Sequence, residues 1–360
     1  MKPLFFLILL TALSSDSFAQ EKPSGNVDKY LSKLPNLNLK LPKLPAELPQ
    51  SENHFSKFTI LDYRPDVSRT GICTVNNEER QISFKEMSVK QVVNDFLNNN
   101  YSVSAISNEL IIVIKKLWYS SPQPSTIRSG SGADDRKTEE IEKSKLQFAA
   151  ECYLKKEEGF IPFAAFDTTI LSNHQLINCG SSILAEALNA LVQKLNAKNI
   201  ERIVATRTPF DKFRVDSISR RAFQHKIYTD DSLMKGVYMT FNDFLQNKPV
   251  KVYYETKKNK DGTSLYLKNE NGTLYATRTI WGFCDGKTFY IMIDGYLFPA
   301  CRNNYTFYVV GLKGYKTGMS LGSAMASSPL LLATGATKSN DKVIRIQRLF
   351  SVDNETGELL

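Results

Sequence analysis

Few residues of this chain have the types and spacing that catalysis or metal binding requires. Only three histidines occur among its 360 residues, and the sequence contains no His-x-x-x-His or Cys-x-x-Cys spacing. We therefore predict no metal site, no cofactor and no catalytic residue, and the sequence favours a protein that is not an enzyme. The strongest enzymatic candidate is Cys179, because a helix predicted to begin at Ser181 or Ser182 would stabilise its thiolate and His174 lies close in sequence.

The stretch from Gly282 to Thr288 superficially resembles a phosphate-binding loop. It has three residues between its two glycines where that loop has four, and a predicted strand follows it instead of a helix. The spacing predicts a hairpin turn at Asp285-Gly286-Lys287, because Asp-Gly supplies the positive φ that tight hairpins need.

Five cysteines cannot all pair within one chain, and Cys284 and Cys301 form the candidate disulfide. Two predicted turns separate them, which places them on the outer strands of a three-strand meander. A bond forms only if those strands curl toward each other across the middle strand. Cys73, Cys152 and Cys179 have the character of small buried side chains.

The positive charge of the chain predicts its class of partner. The formal net charge is +9, which outside the cytoplasm suits an anionic lipid or glycan surface better than nucleic acid. The densest positive stretch, residues 198–226, contains eight basic and three acidic side chains. It is interpreted either as a contact site for an acidic surface or envelope protein, or as an exposed linker. The candidate binding residues within it are Arg207, Lys212, Arg214, Arg220 and Arg221.

Aromatic side chains between residues 281 and 298 supply a second candidate surface. Strand alternation places some of these rings on each face of the predicted sheet. Core packing accounts for one face, and only a solvent-exposed row on the other face would favour glycan or ligand binding. Trp281 and Tyr290 are the candidate binding residues of this group.

The N-terminus has the pattern of a secretory signal peptide, residues 1–19. Lys2 precedes an apolar run from Leu4 to Leu10, and Ser17-Phe18-Ala19 is a small-x-small cleavage site. The apolar run is too short to span a bilayer. We therefore expect a periplasmic or secreted protein that contacts the outer membrane peripherally rather than spanning it.

Sequence patterns predict an α+β protein in which a small α/β layer precedes an antiparallel β meander, rolled or sandwiched. Val89, Val92, Val93, Phe96 and Leu97 recur at helical spacing after Ser88. The run from Leu110 to Ile114 is apolar on both faces, which indicates a strand covered on both sides. Asn-Gly and Asp-Gly turns separate short strands after residue 235.

The predicted organisation has six parts after the leader. They are a proline-rich linker (20–54), an α+β domain (55–206) with a mobile loop (122–145), a basic connector (207–234), an antiparallel β domain (235–352), a small-residue excursion within it (313–340) that is uncharged from Thr317 to Thr337, and a C-terminal tail (353–360). The linker is interpreted as a spacer or as a partner-docking strip formed by Leu34, Leu37, Leu39, Leu41 and Leu44. The excursion is interpreted as a buried, surface-lying or membrane-inserted segment.

Several of these residues resemble known envelope proteins. Asp62-Tyr-Arg-Pro-Asp66 and the strand from Leu110 into Leu117-Trp118-Tyr119, with the hairpin and helix that follow, resemble the YajG-type envelope lipoproteins of Gram-negative bacteria. The resemblance implies an envelope location, but the chain lacks that family's lipid-attachment cysteine, so anchorage is not implied. Trp281 to Lys287 and Asp353 to Glu358 also resemble secreted proteins of Bacteroidetes-type bacteria, which implies a compartment and no activity.

Three functional hypotheses follow from the sequence. The first is a non-enzymatic envelope protein that binds or scaffolds a partner or an anionic membrane surface. The second is a secreted hydrolase that acts on a glycan through paired carboxylates, which give no sequence signal. The third is a host-facing secreted factor.

The leader leads to the first prediction. When the full chain is expressed in a Gram-negative host, we expect cleavage after Ala19 and a mature chain that begins at Gln20. The intact mass of the protein from the periplasm or medium checks this. Uncleaved protein confined to the cytosol would contradict export.

Overall fold

The computed structural model describes residues 25–41, 53–75, 78–85, 87–102, 108–121, 144–230, 232–259, 262–317 and 342–360. Within these ranges the helices are α1 (Gly25–Leu31), α2 (Val89–Tyr101), α3 (Leu176–Asn196), α4 (Ile200–Thr206), α5 (Lys212–Ser219), α6 (Lys226–Thr229) and α7 (Phe241–Leu245), with a 3-10 turn at Arg221–Phe223. The helices and two mostly antiparallel sheets confirm the predicted α+β class.

Two groups of strands form the two sheets. The first sheet contains β1 (Asn36–Leu39), β2 (Lys57–Asp62), β3 (Gly71–Val75), β4 (Glu78–Phe84), β5 (Glu109–Ser120), β6 (Ser144–Lys156) and β7 (Gly159–Ser172). The second contains β8 (Gly236–Tyr238), β9 (Tyr254–Asn259), β10 (Gly262–Lys268), β11 (Leu274–Thr277), β12 (Gly282–Cys284), β13 (Phe289–Ile293), β14 (Tyr296–Asn303), β15 (Thr306–Thr317) and β16 (Lys342–Ser351).

Strand β5 is the centre of the first sheet. One edge pairs in parallel with β2 and then β3, and the other pairs antiparallel with β6. Every residue from Leu110 to Ile114 is buried, as their apolar character on both faces predicts. Helices α2 and α3 cover one face of this sheet, and the predicted apolar stripe of α2 is buried there.

The opposite face of the first sheet is divided between two covers. The loop and helix around Val215 cover Ile111, Val113 and Tyr153. The second sheet covers Trp118 and Ile72 through one of its own faces, which contributes Tyr308, Cys301 and Leu349. We call this contact between the two sheets the seam.

The expected proline-rich linker is folded over residues 25–41. Strand β1 pairs in parallel with β4, and Leu37 and Leu39 enter the core of the first sheet while Asn36 and Asn38 remain exposed. Pro35 precedes this edge strand and therefore removes no ladder hydrogen bond. Helix α1 buries Val27 and Leu31 at the seam. Leu37 and Leu39 are therefore core residues rather than part of a docking strip.

Other predicted segments fall partly outside the described residues. Residues 122–143 of the expected mobile loop lie outside the described residues. The last two residues of that loop, Ser144 and Lys145, begin β6. Residues 318–340 of the expected small-residue excursion also lie outside the described residues. Residues 313–317 form the end of β15 and pair with β16. The C-terminal tail is packed, because Asp353 and Asn354 are buried and Leu359 forms a β-bridge with Val352.

The predicted disulfide between Cys284 and Cys301 is wrong. The two residues lie on β12 and β14, the outer strands of a three-strand meander as expected, but no disulfide joins them. Cys284 opposes Phe289, which opposes Ala300, so Cys301 points to the other face. Cys284 packs in the cluster under α7 and Cys301 packs in the seam.

Asp66 is the central polar group of the seam. Its Oδ2 accepts a hydrogen bond from the Tyr308 hydroxyl at 2.6 Å and pairs with Arg69 Nη1 at 2.9 Å, and Ser68 donates to Oδ1. Burial raises the pKa of Asp66, but these bonds outweigh that effect and lower it below its ordinary value. Because Tyr308 lies on β15, the bond joins the two sheets.

Two ion pairs cross the seam, Lys116 with Asp353 and Arg348 with Glu79, the latter at 3.8 Å. Lys116 Nζ lies 2.7 Å from Asp353 Oδ2, and the carboxylate is almost fully buried. Glu79 accepts hydrogen bonds from the Tyr30 hydroxyl at 2.7 Å and the Leu349 amide at 3.1 Å. Burial raises the pKa of Glu79 above its ordinary value, and the hydrogen bonds from these donors, which lower the pKa, only partly offset that effect.

The seam network leads to the second prediction. Tyr308→Phe leaves a buried carboxylate short of a donor, and we expect a loss of about 1–3 kcal/mol in the free energy of unfolding. Urea denaturation at neutral pH measures it. Tyr275→Phe, whose side chain is 49% exposed, is the matched control and should change stability by less than about 0.5 kcal/mol.

Wild type and Tyr308→Phe also test the sign of the pH dependence of stability. Because the folded-state pKa of Asp66 is lowered, its stabilising contribution is complete above its unfolded pKa of about 3.9 and is lost as the pH falls through the folded value. The stability difference between wild type and Tyr308→Phe should therefore persist down to about pH 4 and narrow below it. A difference absent at neutral pH would contradict the assigned role of the bond.

Candidate anionic-surface-binding site

The basic segment, residues 198–226, is ordered and docked on the first sheet. It contains α4, α5 and the 3-10 turn. The backbone groups of Phe210 and Phe160 exchange two hydrogen bonds of 2.8 Å, so the chain before α5 is paired with the start of β7. The segment is therefore part of the fold and not a free linker.

Helix α5 is anchored through the residues on its inner side. Val215 and Ser219, one turn apart, are buried against the sheet. Asp216 accepts a hydrogen bond from the Tyr63 hydroxyl, and Ser219 Oγ lies 3.3 Å from Glu151 Oε2. Burial and the neighbouring Asp216 carboxylate both raise the pKa of Tyr63, so this hydroxyl stays protonated as a donor.

A β-bulge supplies another anchor for α5. The register of β5 and β6 shifts at Lys115, and the Lys115 ammonium donates a hydrogen bond to the carbonyl oxygen of Ser219. Bulges commonly re-aim a side chain in this way. Burial lowers the pKa of Lys115, partly offset by the Glu151 and Glu355 carboxylates. The last turn of α5 thus receives a charged donor.

The outer side of the basic segment carries the positive charge. All eight of its basic side chains are exposed: Lys198, Arg202, Arg207, Lys212, Arg214, Arg220, Arg221 and Lys226. Of its three acidic residues, Asp216 turns inward to Tyr63, Asp211 caps α5 by accepting from the Arg214 amide at 2.6 Å, and Glu201 is exposed in the first turn of α4. The five sequence-predicted basic residues therefore belong to one ordered, outward-facing segment.

Aromatic rings hold two of these arginines in place. The guanidinium carbon of Arg214 lies 4.0 Å from the Phe210 ring centroid, and that of Arg220 lies 4.9 Å from the Tyr63 centroid. Arg207 Nη1 donates to the carbonyl oxygen of Pro162 at 2.6 Å. Such contacts reduce the side-chain freedom that a ligand would otherwise have to remove.

Phe213 is the apolar residue that sequence reasoning did not single out. It lies in the first turn of α5 between Lys212 and Arg214, and 81% of its side chain is exposed. Its helical position relative to Val215 and Ser219 directs it away from the sheet. Single exposed apolar residues are common, so the informative feature is its setting between two exposed cations.

Trp281 and Tyr290 lie away from the basic segment and inside core clusters. Trp281 packs against Phe241 and Phe244 beneath α7, with ring centroids 5.1 and 4.3 Å away. Tyr290 packs against Phe283 on the opposite face of the sheet. Both faces are therefore filled at this point, and these two rings do not form the exposed row that glycan binding requires.

The enzymatic candidates do not assemble into a site. Helix α3 begins at Leu176 with Gln175 as its N-cap, so the predicted start at Ser181 or Ser182 is wrong and Cys179 lies inside the first turns. The Cys179 thiol donates to the carbonyl oxygen of His174 at 3.5 Å and is buried. The stretch after Gly282 forms the predicted hairpin between β12 and β13.

Three short serine motifs were not considered in the prediction that the chain has no catalytic residue. Ser339-Asn-Asp-Lys342 has the Ser-x-x-Lys spacing, and its first three residues lie outside the described residues. Gly318-Met-Ser-Leu-Gly322 has the spacing of a nucleophile elbow, and it lies outside the described residues. Ser232-Leu-Met-Lys235 has the Ser-x-x-Lys spacing, and it lies in the irregular chain before β8. Ser232 and Lys235 therefore do not lie in a helix, which is the element that places residues three apart on one face.

A cleft of about 660 Å³ lies between α2 and the edge of the first sheet. Its floor is apolar and includes Leu39, Phe84, Val92 and Phe96. Lys40, Lys85 and Asp95 also line it, so its charged residues include both signs and indicate no class of ligand.

Comparisons of the chain with protein-family models, curated proteins and solved structures found no match. Across the described ranges, no helix is long and apolar enough to cross a membrane. In the same ranges, no group of three or more histidine, cysteine, aspartate or glutamate residues is arranged to hold a metal ion. The basic segment is therefore the site with the clearest chemical character among the described residues.

The anchoring of α5 leads to the third prediction. Tyr63→Phe removes the hydrogen bond to Asp216, and we expect amide hydrogen exchange across residues 212–219 to accelerate about fivefold to tenfold, which corresponds to about 1 kcal/mol. Exchange measured by mass spectrometry checks this. Tyr266→Phe, on β10 of the other sheet, is the control. Equal exchange in the two variants would contradict the proposed anchor.

Proposed function

We propose that this protein is a non-catalytic binding or scaffolding protein of the cell envelope that attaches to an anionic surface through the basic segment. The observation that carries the proposal is the exposure of all eight basic side chains on a segment whose inner side is anchored. The backbone of the segment is held by these anchors, and the side chains of Arg207, Arg214 and Arg220 are held by contacts of their own before binding. Binding then orders fewer groups, which favours attachment.

The electrostatics of the segment support a surface rather than a small anion as the ligand. Each exposed lysine or arginine near an anionic surface contributes about 1 kcal/mol, and the contributions require no specific pocket. Isolated exposed ion pairs contribute little in water, so several cations must act together. The eight side chains extend from the end of α3 to the start of α6, which suits a broad surface.

The leader supports an extracytoplasmic location for this attachment. A cleaved signal peptide at residues 1–19 would deliver the folded chain to the periplasm or the medium. Anionic lipid headgroups and acidic glycans are abundant ligands for a basic protein in such compartments. A peripheral contact with the outer membrane is consistent with this reasoning, as is contact with an acidic envelope protein.

The alternative of a glycan hydrolase gains no support from the carboxylates at the seam. Asp66 and Asp353 line one cavity there, but its volume is only about 50 Å³, which suits water rather than a sugar ring. Both carboxylates are already engaged by Arg69, Tyr308 and Lys116. They are therefore assigned to stability.

The proposal leads to the fourth prediction. The mature chain should bind an anionic ion-exchange matrix such as phosphocellulose and elute as salt rises, because salt screens charges in water. Lys212→Gln with Arg221→Gln removes two contacts, and we expect affinity at low salt to fall by a factor on the order of 30, about 2 kcal/mol.

A variant of equal net charge separates location from total charge. Lys257→Gln with Lys268→Gln removes two exposed cations from β9 and β10 of the second sheet. We expect this control to elute close to wild type. If both double variants elute equally early, the basic segment is not the binding site and the proposal fails.

A further inference from the structure

We infer that Phe213 inserts into the interfacial region of an anionic lipid bilayer while Lys212 and Arg214 contact the headgroups. The inference rests on the proposed attachment through the basic segment and identifies the surface. It depends on the exposed ring of Phe213, on the cations at either side of it, and on the orientation of α5.

The fold holds Phe213 in a protruding position. Asp211 caps the helix from the N-terminal side, and Val215 is buried two residues beyond the ring. Residues two apart on a helix do not face the same direction, so burial of Val215 turns Phe213 toward solvent. The ring therefore cannot reach the sheet core without undocking α5.

Phe213 and its exposed helical neighbours present a narrow apolar tip. Ser217 and Arg221 follow it at intervals of four residues and are exposed and polar. The most exposed apolar group of α5 is therefore the Phe213 ring, with Asp216 three residues after it and the cations Lys212 and Arg214 directly before and after it in sequence. Its exposure leaves apolar surface in water that a hydrocarbon environment would bury. The tip therefore offers a ligand apolar surface as well as positive charge.

A bilayer fits this tip better than a protein or a glycan. A stable protein interface needs about 800 Å² from each partner with an apolar centre, which one ring does not provide. An acidic glycan would pair with the cations, but a single ring is not the exposed aromatic row that favours glycan binding. Aromatic side chains beside cations are favoured at the membrane interface, where the ring enters the headgroup region and the charges remain with the phosphates.

The test uses the mature chain and vesicles of two compositions. One contains phosphatidylcholine alone, and the other contains phosphatidylcholine with phosphatidylglycerol. We expect wild type to sediment with the anionic vesicles at low salt and Phe213→Ser to bind them about tenfold more weakly. On phosphocellulose, which has no hydrocarbon layer, the same variant should elute with wild type.

A tryptophan variant reports the position of the ring. Phe213→Trp should retain vesicle binding, and its added fluorescence should be quenched by lipids brominated near the headgroup. Trp118 and Trp281 also emit, so the measured quantity is the difference from wild type at equal binding. Tyr275→Ser, which removes an exposed ring from β11, is the control and should bind the vesicles as wild type does. Circular dichroism verifies that each variant folds.

The outcomes separate this inference from the proposed function. If Phe213→Ser and wild type bind anionic vesicles equally, or if the added tryptophan is not quenched, insertion is excluded while electrostatic attachment stands. Binding to heparin, as a model acidic polysaccharide, without binding to vesicles would assign the segment to a glycan and overturn the inference. Failure to bind any anionic surface would overturn both.

Discussion

The double burial of β5 is the constraint on which the rest of the structure depends. Leu110, Ile112 and Ile114 face α2 and α3, while Ile111 and Val113 face the other way. Leaving both of the latter in water would forfeit about 1.5–3 kcal/mol for each side chain. A second cover is therefore needed, and the chain supplies it partly with the basic segment and partly with the second sheet.

This constraint also fixes which side of the basic segment meets water. Val215 must lie on the sheet to cover Val113, and Ser219 follows it at one-turn spacing. The polar residues between them then find partners at the rim of the apolar patch, namely Tyr63 for Asp216 and Lys115 for the Ser219 carbonyl. The arginines are left on the outer side because a guanidinium could enter this cover only with a carboxylate partner.

The seam contains charged groups where an apolar contact would have sufficed. Removing one partner from a buried ion pair is strongly destabilising, although replacing the whole pair by apolar residues often is not. Such groups therefore fix geometry more than they add stability. Tyr308 on β15 binds Asp66 in the loop before β3, Arg348 on β16 pairs with Glu79 on β4, and Lys116 on β5 pairs with Asp353 after β16. Together these three contacts fix how the two sheets pack against each other.

Local patterns in the sequence predict much of the fold. The stripe of α2, the doubly buried β5 and the hairpin turns after residue 235 each depend on neighbours within about one turn or one hairpin, and the structure contains all three. Strand β1 was not predicted, because its partner β4 lies about 45 residues away and prolines flank it. The face of the sheet on which the Cys301 side chain lies also depends on strand register, and the spacing of two cysteines does not reveal that register.

The candidate site likewise has one part that the sequence predicts and one part that it does not. The density of basic residues alone indicates the basic segment, and five of its exposed side chains are predicted from the sequence as binding residues. Phe213 was not, because a lone phenylalanine between two cations has the same sequence pattern whether it points into a core or into water. Only the placement of Val215 against β5 decides between these alternatives. The exposed position of the residue on which the inferred lipid contact rests is thus set by packing beneath α5, and no property of the segment by itself would reveal it.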